Sequence, residues 1–323
     1  VASAGIGGRL ESTLGKYCML TTKNMKYADG VALVQHLKQG LKTSQFIHQN
    51  IIVVVHRRQE MKLSEVKVDR RILVQGRGGT GKTTIIGTLC KLLPTLVVTC
   101  DANGLDTLRH MGVDPEVVLM HDWKNCWDDF KKIAEASSRC RAVAIDDFGS
   151  VQTTARRKIE QMPRGWDEEH AKNLGPAVKQ QLMRGERRMQ MQDWGGMWVA
   201  METFLYEVLA LPYAVKLVTV LEAPDKDPRT GEMRLFPQLQ GAIQNTLSPR
   251  FSLVAESFIA EHDDKTYYCL SCRSHPKIET KTRFSEAGRT WVNPDMTRVL
   301  AYCGGKGGVE SKLEADIGLG LEV

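Results

Sequence analysis

No stretch of this sequence stays apolar for the roughly 18 to 20 residues that a bilayer span requires. The start, Val1 to Leu10, also lacks the basic and apolar regions of a secretory leader. The expectation is a soluble protein of the cytoplasm with no membrane partner. Net charge is nearly absent as a signal, since 44 Lys and Arg stand against 38 Asp and Glu, leaving +6. That excess suits a polyanionic partner and an ordinary enzyme equally, and by itself selects neither. Internal repeats and coiled-coil heptads are missing, which argues against solenoid and long-coil architectures. Disulfide spacing is missing too: the eight cysteines are scattered, and several, such as Cys90 and Cys100, sit in apolar runs where a reduced thiol behaves as a small hydrophobe.

What is present is an alternation. Ile72-Leu73-Val74, a helix-compatible run after Gly81, Leu96-Val97-Val98, a helical stretch to Phe130 and the strand Ala142 to Ile145 follow one another. This is the pattern of βαβ units around a parallel sheet. A polar, Arg-rich stretch runs from Phe148 to about Gln192, followed by an apolar helix near Trp198 to Leu209 and a strand from Val215 to Leu221. Leu253 to Cys272 reads as two more strands, with a hairpin turn at Asp263-Asp264. Upstream, Ile51 to Val55 has the β-branched character of a buried strand. A chain of 323 residues accommodates one large core and a modest appendage. The division expected is an extension of unknown role over 1–65, one α/β core over 66–303 and a flexible tail over 304–323.

The strongest motif is Gly76-Arg77-Gly78-Gly79-Thr80-Gly81-Lys82-Thr83, which fits G-x-x-x-x-G-K-[ST] between a strand and a helix. Glycines permit positive φ, so successive N–H groups, through Thr84, can converge on phosphate oxygens at the positive end of a helix. Lys82 is expected to reach the β and γ phosphates of ATP, and Thr83 to offer its hydroxyl to Mg²⁺. Such a loop needs a carboxylate at a neighbouring strand end, and Asp146 provides one, with Asp147 as a candidate for water positioning or metal support. Asp101 ends another strand; it reads equally as a water-polarising base and as the cap of an Asx turn before Leu105.

The ordering of these residues resembles RecA-like ATPases of phages, in particular Sak-type single-strand annealing proteins related to RecA and Rad recombinases. The likeness runs from about Val66 to Ala301 and rests on the phosphate loop, Thr99 to Gly104, the strand ending Asp146-Asp147, and later segments: Gln192 to Gly195, Leu217 to Glu222, and Lys281-Thr282-Arg283-Phe284. The resemblance implies an α/β fold with a RecA-like P-loop core: a mostly parallel central sheet flanked by helices, with antiparallel strands toward the C-terminus. It implies an ATPase that binds single-stranded DNA, assembles into homo-oligomeric rings or filaments and promotes annealing; a single-stranded DNA-binding protein is a further candidate partner. Such cores carry a glutamate two residues after the strand-end aspartate, where this chain has Asn103, an amide that cannot act as a base near neutral pH. Asp101 or Asp147 then takes that role, or hydrolysis is slow. Lys281 and Arg283 suit a finger acting on a neighbouring subunit's γ phosphate, and equally suit an exposed strand-edge pair. Glu222 stands where these cores keep a polar sensor.

Between Thr153 and Gln192 nine Lys or Arg face five Asp or Glu, among them Arg156, Arg157, Lys158, Arg164, Arg184, Arg187 and Arg188. The position after Asp147 is that of a DNA-binding loop in the resembling family, where cations release counterions and Trp166 offers a stacking face. A second loop, Ala223 to Pro237, brings Lys226, Arg229 and Arg234. The plainer reading of both is a solvated surface. Cys269 and Cys272 with His275 look like half a zinc site, yet no second pair follows at suitable spacing and the segment reads as strand. Met183, Met189, Met191 and Met197 read as a packed helix face. Two competing functions share the loop: a hexameric helicase or packaging-type motor, and a small-molecule kinase.

Overall fold

The computed structural model describes residues 69–161, 191–226, 230–240, 243–275, 277–285 and 288–320. The chain divides into units of residues 1–66 and 67–323, and every described residue belongs to the second. The 1–65 extension and the strand at Ile51 to Val55 therefore lie outside the described residues. So do Arg164, Trp166, Met183, Arg184, Arg187, Arg188, Met189 and Arg229.

In chain order the unit runs β1 (Arg70–Gly76), α1 (Lys82–Leu92), β2 (Thr95–Thr99), α2 (Leu105–His110), β3 (Glu116–Leu119), α3 (Cys126–Ala136), β4 (Ala142–Asp146) and α4 (Phe148–Gln161). Then come α5 (Met191–Ala210), β5 (Val215–Lys226), β6 (Met233–Pro237), α6 (Ile243–Thr246), β7 (Leu253–His262), β8 (Lys265–Ser271), β9 (Lys281–Thr282), β10 (Thr290–Val292), α7 (Met296–Cys303) and α8 (Lys312–Gly320). The sheet order is β10-β8-β7-β1-β5-β4-β2-β3. From β7 to β3 every neighbouring pair is parallel, while β8 and β10 continue the sheet antiparallel. This is the mostly parallel α/β core with antiparallel strands toward the C-terminus that the sequence pattern predicts.

The central strands are buried on both faces, which explains their unbroken apolar runs. Alternate residues feed two cores. Ile72, Val74, Ala144 and Leu217 meet Ile85, Ile86 and Leu89 of α1 and Met296 and Val299 of α7 on one face. Leu73, Val143, Ile145 and Val218 meet Ile133 of α3, Phe148 and Val151 of α4, and Met197, Met201 and Phe204 of α5 on the other. Met197 thus packs as expected, at 1% exposure. The hairpin turn between β7 and β8 is also where expected: Asp263 and Asp264 both take positive φ, 49° and 58°, the requirement of a two-residue type I′ turn. Cys269 and Cys272 are buried, with Cys269 in β8 itself.

Four segments differ from the sequence reading. The stretch to Phe130 is not one helix: Gly112 takes φ 68° to end α2, Pro115 follows, and Glu116–Leu119 forms a short edge strand parallel to β2 before α3 begins. The residues after Asp147 are helical to Gln161, so Arg156, Arg157 and Lys158 lie on α4 rather than in a loop; Phe148, Val151 and Ala155 supply the buried stripe that holds the helix. The expected loop over Ala223 to Pro237 is a ribbon, since β5 continues past Leu221 and pairs antiparallel with β6, Asp225 facing Arg234 and Lys226 facing Met233. Pro224 is tolerated there because the ribbon has left the central sheet and has only one neighbour.

The fourth is the tail, whose described part, to Gly320, packs around Glu314. That side chain accepts hydrogen bonds from Val292 N (3.2 Å) and Ser311 N (3.0 Å) and pairs with Arg298 and Arg289. Glu310 likewise takes Thr290 N at 2.8 Å and Arg273 at 2.5 Å. Two acids of the expected flexible tail are thus the partners of three arginines, Arg273 just after β8, Arg289 just before β10 and Arg298 on α7.

Candidate functional site

The parallel strands β1, β2, β4 and β5 all point their C-terminal ends at one edge of the sheet, and the phosphate loop leaves β1 there. Gly76 is required by close approach: a Cβ at this position would stand 2.3 Å from the carbonyl oxygen of Ser257 in β7. Gly79 and Gly81 take φ 79° and 90°, which an L side chain rarely adopts, and nothing lies within 4 Å of a Cβ built at Gly78 or Gly79. The loop is braced from within by Thr80 Oγ1 donating to Arg77 O (2.9 Å) and from the sheet by Ser257 Oγ donating to Thr80 O (2.6 Å). Gly81 is the N-cap of α1, and the helix starts at Lys82 with its first N–H groups facing the loop.

Lys82 is buried and donates to the carbonyls of Gly76 (2.7 Å) and Arg77 (2.6 Å). Burial pulls its pKa down, against the attraction of Asp146, Asp147 and Glu222. Asp146 has the converse problem. Burial raises its pKa, and two hydroxyls oppose the rise: Thr219 Oγ1 donates to Oδ1 at 2.6 Å and Thr83 Oγ1 to Oδ2 at 2.8 Å. The sheet register sets this trio up, since Thr99 of β2 stands beside Asp146, and Ile145 stands beside Val218 just before Thr219. Thr83 spends its one proton on Asp146, so both hydroxyl lone pairs remain free to face a cation. A buried carboxylate beside an oriented hydroxyl is the hard oxygen donor set that suits Mg²⁺.

Gly78, Gly79, Gly81 to Thr84, Thr99, Asp101, Asp146, Asp147 and Tyr268 line a common cleft of about 340 Å³, within the roughly 300 to 1,000 Å³ of small-molecule sites. The residues present therefore fit a magnesium triphosphate. Asp147 is engaged as the cap of α4, taking Ser150 N (2.8 Å) and Ser150 Oγ (3.1 Å). Asp101 is exposed and closes an Asx turn through Oδ1 to Asn103 N (2.9 Å), so both of its sequence readings are compatible with one geometry.

Glu222 and Glu256 were not both foreseen. Glu222 ends the central part of β5, is 9% exposed and lies 4.0 Å from Arg77 Nε. Glu256 of β7 is flanked by Gln75 of β1, and its carboxyl is pushed up to about 7 by burial first and by Glu222 second. The period-two pattern marks such residues as inward-facing, but a sequence does not tell which strands stand side by side.

Lys281 and Arg283 do not approach this cleft. β9 pairs with the start of β7, Leu253 facing Thr282, whereas the phosphate loop leaves beside Ser257. Four residues of strand separate the two, roughly 13 Å. Lys281 Nζ donates to Ser248 O (3.3 Å) and Arg283 to Pro249 O (3.2 Å).

A second cleft, of about 310 Å³, adjoins the first between α4 and the β5–β6 ribbon, with Gln152, Arg156, Pro224 and Gln240 among its lining. Asp147, Ser150 and Leu221 belong to both. Arg156 pairs with Glu160 at 2.7 Å and lies over the Trp194 ring, and Arg234 lies over Phe236.

In the sheet, β5 separates the phosphate-loop strand from the strand ending in Asp146, and both strands open onto the cleft of a P-loop nucleoside triphosphatase. The chain belongs to the AAA domain family, whose model matches residues 68–284, and it is thereby an ATPase of the P-loop type. Similar solved structures include the flagellar accessory protein FlaH from Methanocaldococcus jannaschii, 9% identical with a TM-score of 0.35 over 69% of this chain and 86% of that one. A KaiC-like protein, PH0186, from Pyrococcus horikoshii is 15% identical with a TM-score of 0.35 over 69% of this chain and 88% of that one. No curated protein matches the sequence. Among the described residues no helix is long and apolar enough to cross a membrane.

Proposed function

We propose that this chain hydrolyses ATP in the 340 Å³ cleft and uses the reaction to bind and pair single-stranded DNA. The observation that carries the nucleotide part is the Thr83–Asp146–Thr219 arrangement beside the buried Lys82. The amides of Gly78 to Thr84 cradle phosphate oxygens, Lys82 neutralises the β and γ groups, and Thr83 and Asp146 hold Mg²⁺. The ion, when bound, would supply positive charge against the negative charge of the triphosphate. Asp101 polarises the attacking water, because only one of its oxygens takes a hydrogen bond among the described residues, whereas both oxygens of Asp147 serve Ser150.

The DNA part is supported by the resemblance to annealing ATPases and by Arg156, which lines the second cleft, with Arg157 next to it on α4 and Lys226 and Arg234 on the ribbon whose residues Ala223 to Asp225 wall that cleft. It extends to the net-positive segment after Gln161. Because β9 is remote from the chain's own phosphate loop, Lys281 and Arg283 act only on a neighbour's nucleotide, and the proposal includes a homo-oligomer. The test is ATP turnover of the full chain with and without single-stranded DNA, with Lys82→Ala beside it and particle mass recorded. The expected result is turnover raised by DNA in the wild type, lost in the variant, by a particle larger than one chain. Turnover indifferent to DNA, or dependent on a small acceptor, would refute the DNA assignment; unchanged ATP affinity in Lys82→Ala would refute the cradle.

A further inference from the structure

Tyr268 is a large aromatic residue left 48% exposed on β8, with its register partner Ile259 of β7 at 47% on the same face. Its ring is not on an idle surface. It lines the cleft together with Lys82, Thr83 and Thr84, and it stands against the loop itself, Cδ1 lying 3.3 Å from where a Cβ on Gly81 would be. Its backbone carbonyl accepts from Asn293 N at 2.7 Å, which holds the strand in register at this point. The hydroxyl makes no hydrogen bond among the described residues, so the ring's position owes nothing to a polar anchor.

The sheet order says what this ring faces. Thr83 and Asp146 mark the β and γ end of a bound triphosphate, and Asp146 belongs to β4, which lies beyond β5 on one side of β1. Tyr268 belongs to β8, beyond β7 on the opposite side of β1. A triphosphate lying along the loop with its γ end toward β4 must send its α phosphate past Thr84 and its nucleoside out over β7 and β8. The apolar surface there is made by Ile259 of β7 and the Tyr268 ring beside it on β8, and of the two the ring lines the cleft.

On this geometry, and resting on the nucleotide reading above, we propose that Tyr268 is the base platform of the site: the nucleobase of the bound nucleotide stacks on its ring. Every base has a π face, so an aromatic platform with no hydrogen-bonding partner of its own holds a base without choosing between adenine and guanine. Stacking of this kind is worth roughly five-fold to more than a hundred-fold in affinity.

The experiment compares the affinities of Mg-ATP, Mg-GTP and Mg-tripolyphosphate for the full-length wild type, Tyr268→Ala and Tyr268→Phe. Tripolyphosphate presents the same phosphates without a base. The expected result is that Tyr268→Ala weakens ATP and GTP alike by about ten-fold or more, leaves tripolyphosphate unchanged, and is reversed by Tyr268→Phe. Equal weakening of tripolyphosphate and ATP would mean that the ring merely supports the loop at Gly81, and unaltered ATP affinity would mean that the base lies elsewhere; either overturns the platform. A wild type that binds ATP and tripolyphosphate with neither affected by Tyr268→Ala leaves the phosphate cradle standing and removes only Tyr268. Failure of the wild type to bind either ligand removes both readings together.

Discussion

Replacing Glu256 by glutamine removes an ionisable group from a place where its charge is held at a cost. The side chain is 6% exposed, and its carboxyl is pushed from 4.5 to about 7 by burial and by the neighbouring Glu222. Folding therefore tightens the proton on Glu256. At pH values below about 4 both the folded and unfolded chains carry it, and the group is neutral to stability. As pH rises from about 4.5 toward 7 the unfolded chain loses its proton first, so stability falls, and above about 7 the full penalty is present. At ~1.4 kcal/mol for each pH unit of displacement, the shift corresponds to an order of ~3 kcal/mol. Glutamine keeps the shape, carries no charge at any of these pH values, and brings an amide donor beside Gln75, whose Oε1 is buried without a hydrogen-bond partner. Urea unfolding of wild type and Glu256→Gln at about pH 5 and pH 8 measures this directly. The variant should be close to wild type at the lower pH and more stable by up to about 3 kcal/mol at the higher one. Part of that gain comes through Glu222, which is buried in the same group and whose pKa is raised by the same desolvation. Equal losses of stability in the two proteins between those pH values would refute the reasoning.

Glu314→Ala should destabilise the chain by about 2 to 3 kcal/mol in the same assay, below the 3 to 5 of a fully buried pair because Arg298 is partly exposed; an unchanged urea midpoint would mean that the last helix contributes nothing to the core. Asp101→Asn should lower ATP turnover by roughly 100-fold or more with little change in KM, as loss of a general base does. Asp147→Asn serves as its comparison, and full turnover in Asp101→Asn would move the base elsewhere.

The parts of the fold that were legible are those fixed by short-range chemistry. The phosphate loop announces itself because its glycines answer backbone demands, at Gly76 by approach to Ser257 and at Gly79 and Gly81 by positive φ. Asp146 was legible because a carboxylate directly after an apolar strand is carried to the sheet edge where ligands bind, and the hairpin at Asp263-Asp264 because Asp tolerates the left-handed region. What was missed depends on neighbours. Ala223 to Pro237 read as a loop after a strand ending at Leu221, yet β5 runs on because β6 returns to pair with it. The C-terminal segment read as a flexible tail because Arg273, Arg289 and Arg298 are distant in sequence, and only the packed fold brings them to Glu310 and Glu314. Thr219 as a second hydroxyl on Asp146 follows from β4 and β5 being adjacent, which spacing along the chain does not encode.

The two clefts meet at the N-terminal end of α4, and this constrains how the proposed activities relate. Asp147 and Ser150, hydrogen-bonded to one another, form part of both linings, and Leu221 closes both from β5. Helix α4 is anchored on its inner side by Phe148 and Val151, each fully buried, so its first turn shifts as a unit with the sheet edge rather than flexing by itself. Gln152, one turn along, grips the far wall of the second cleft twice, donating to Gln240 O at 2.9 Å and accepting from Gln240 N at 2.7 Å. A ligand that displaces Gln240 therefore pulls on the helix whose cap lies beside Asp146, and a nucleotide that moves the cap pulls on Gln240. Linkage requires the two effects to be equal in free energy. A strand that binds in the second cleft and tightens nucleotide binding in the first must itself be held more tightly, by the same factor, when the nucleotide is present.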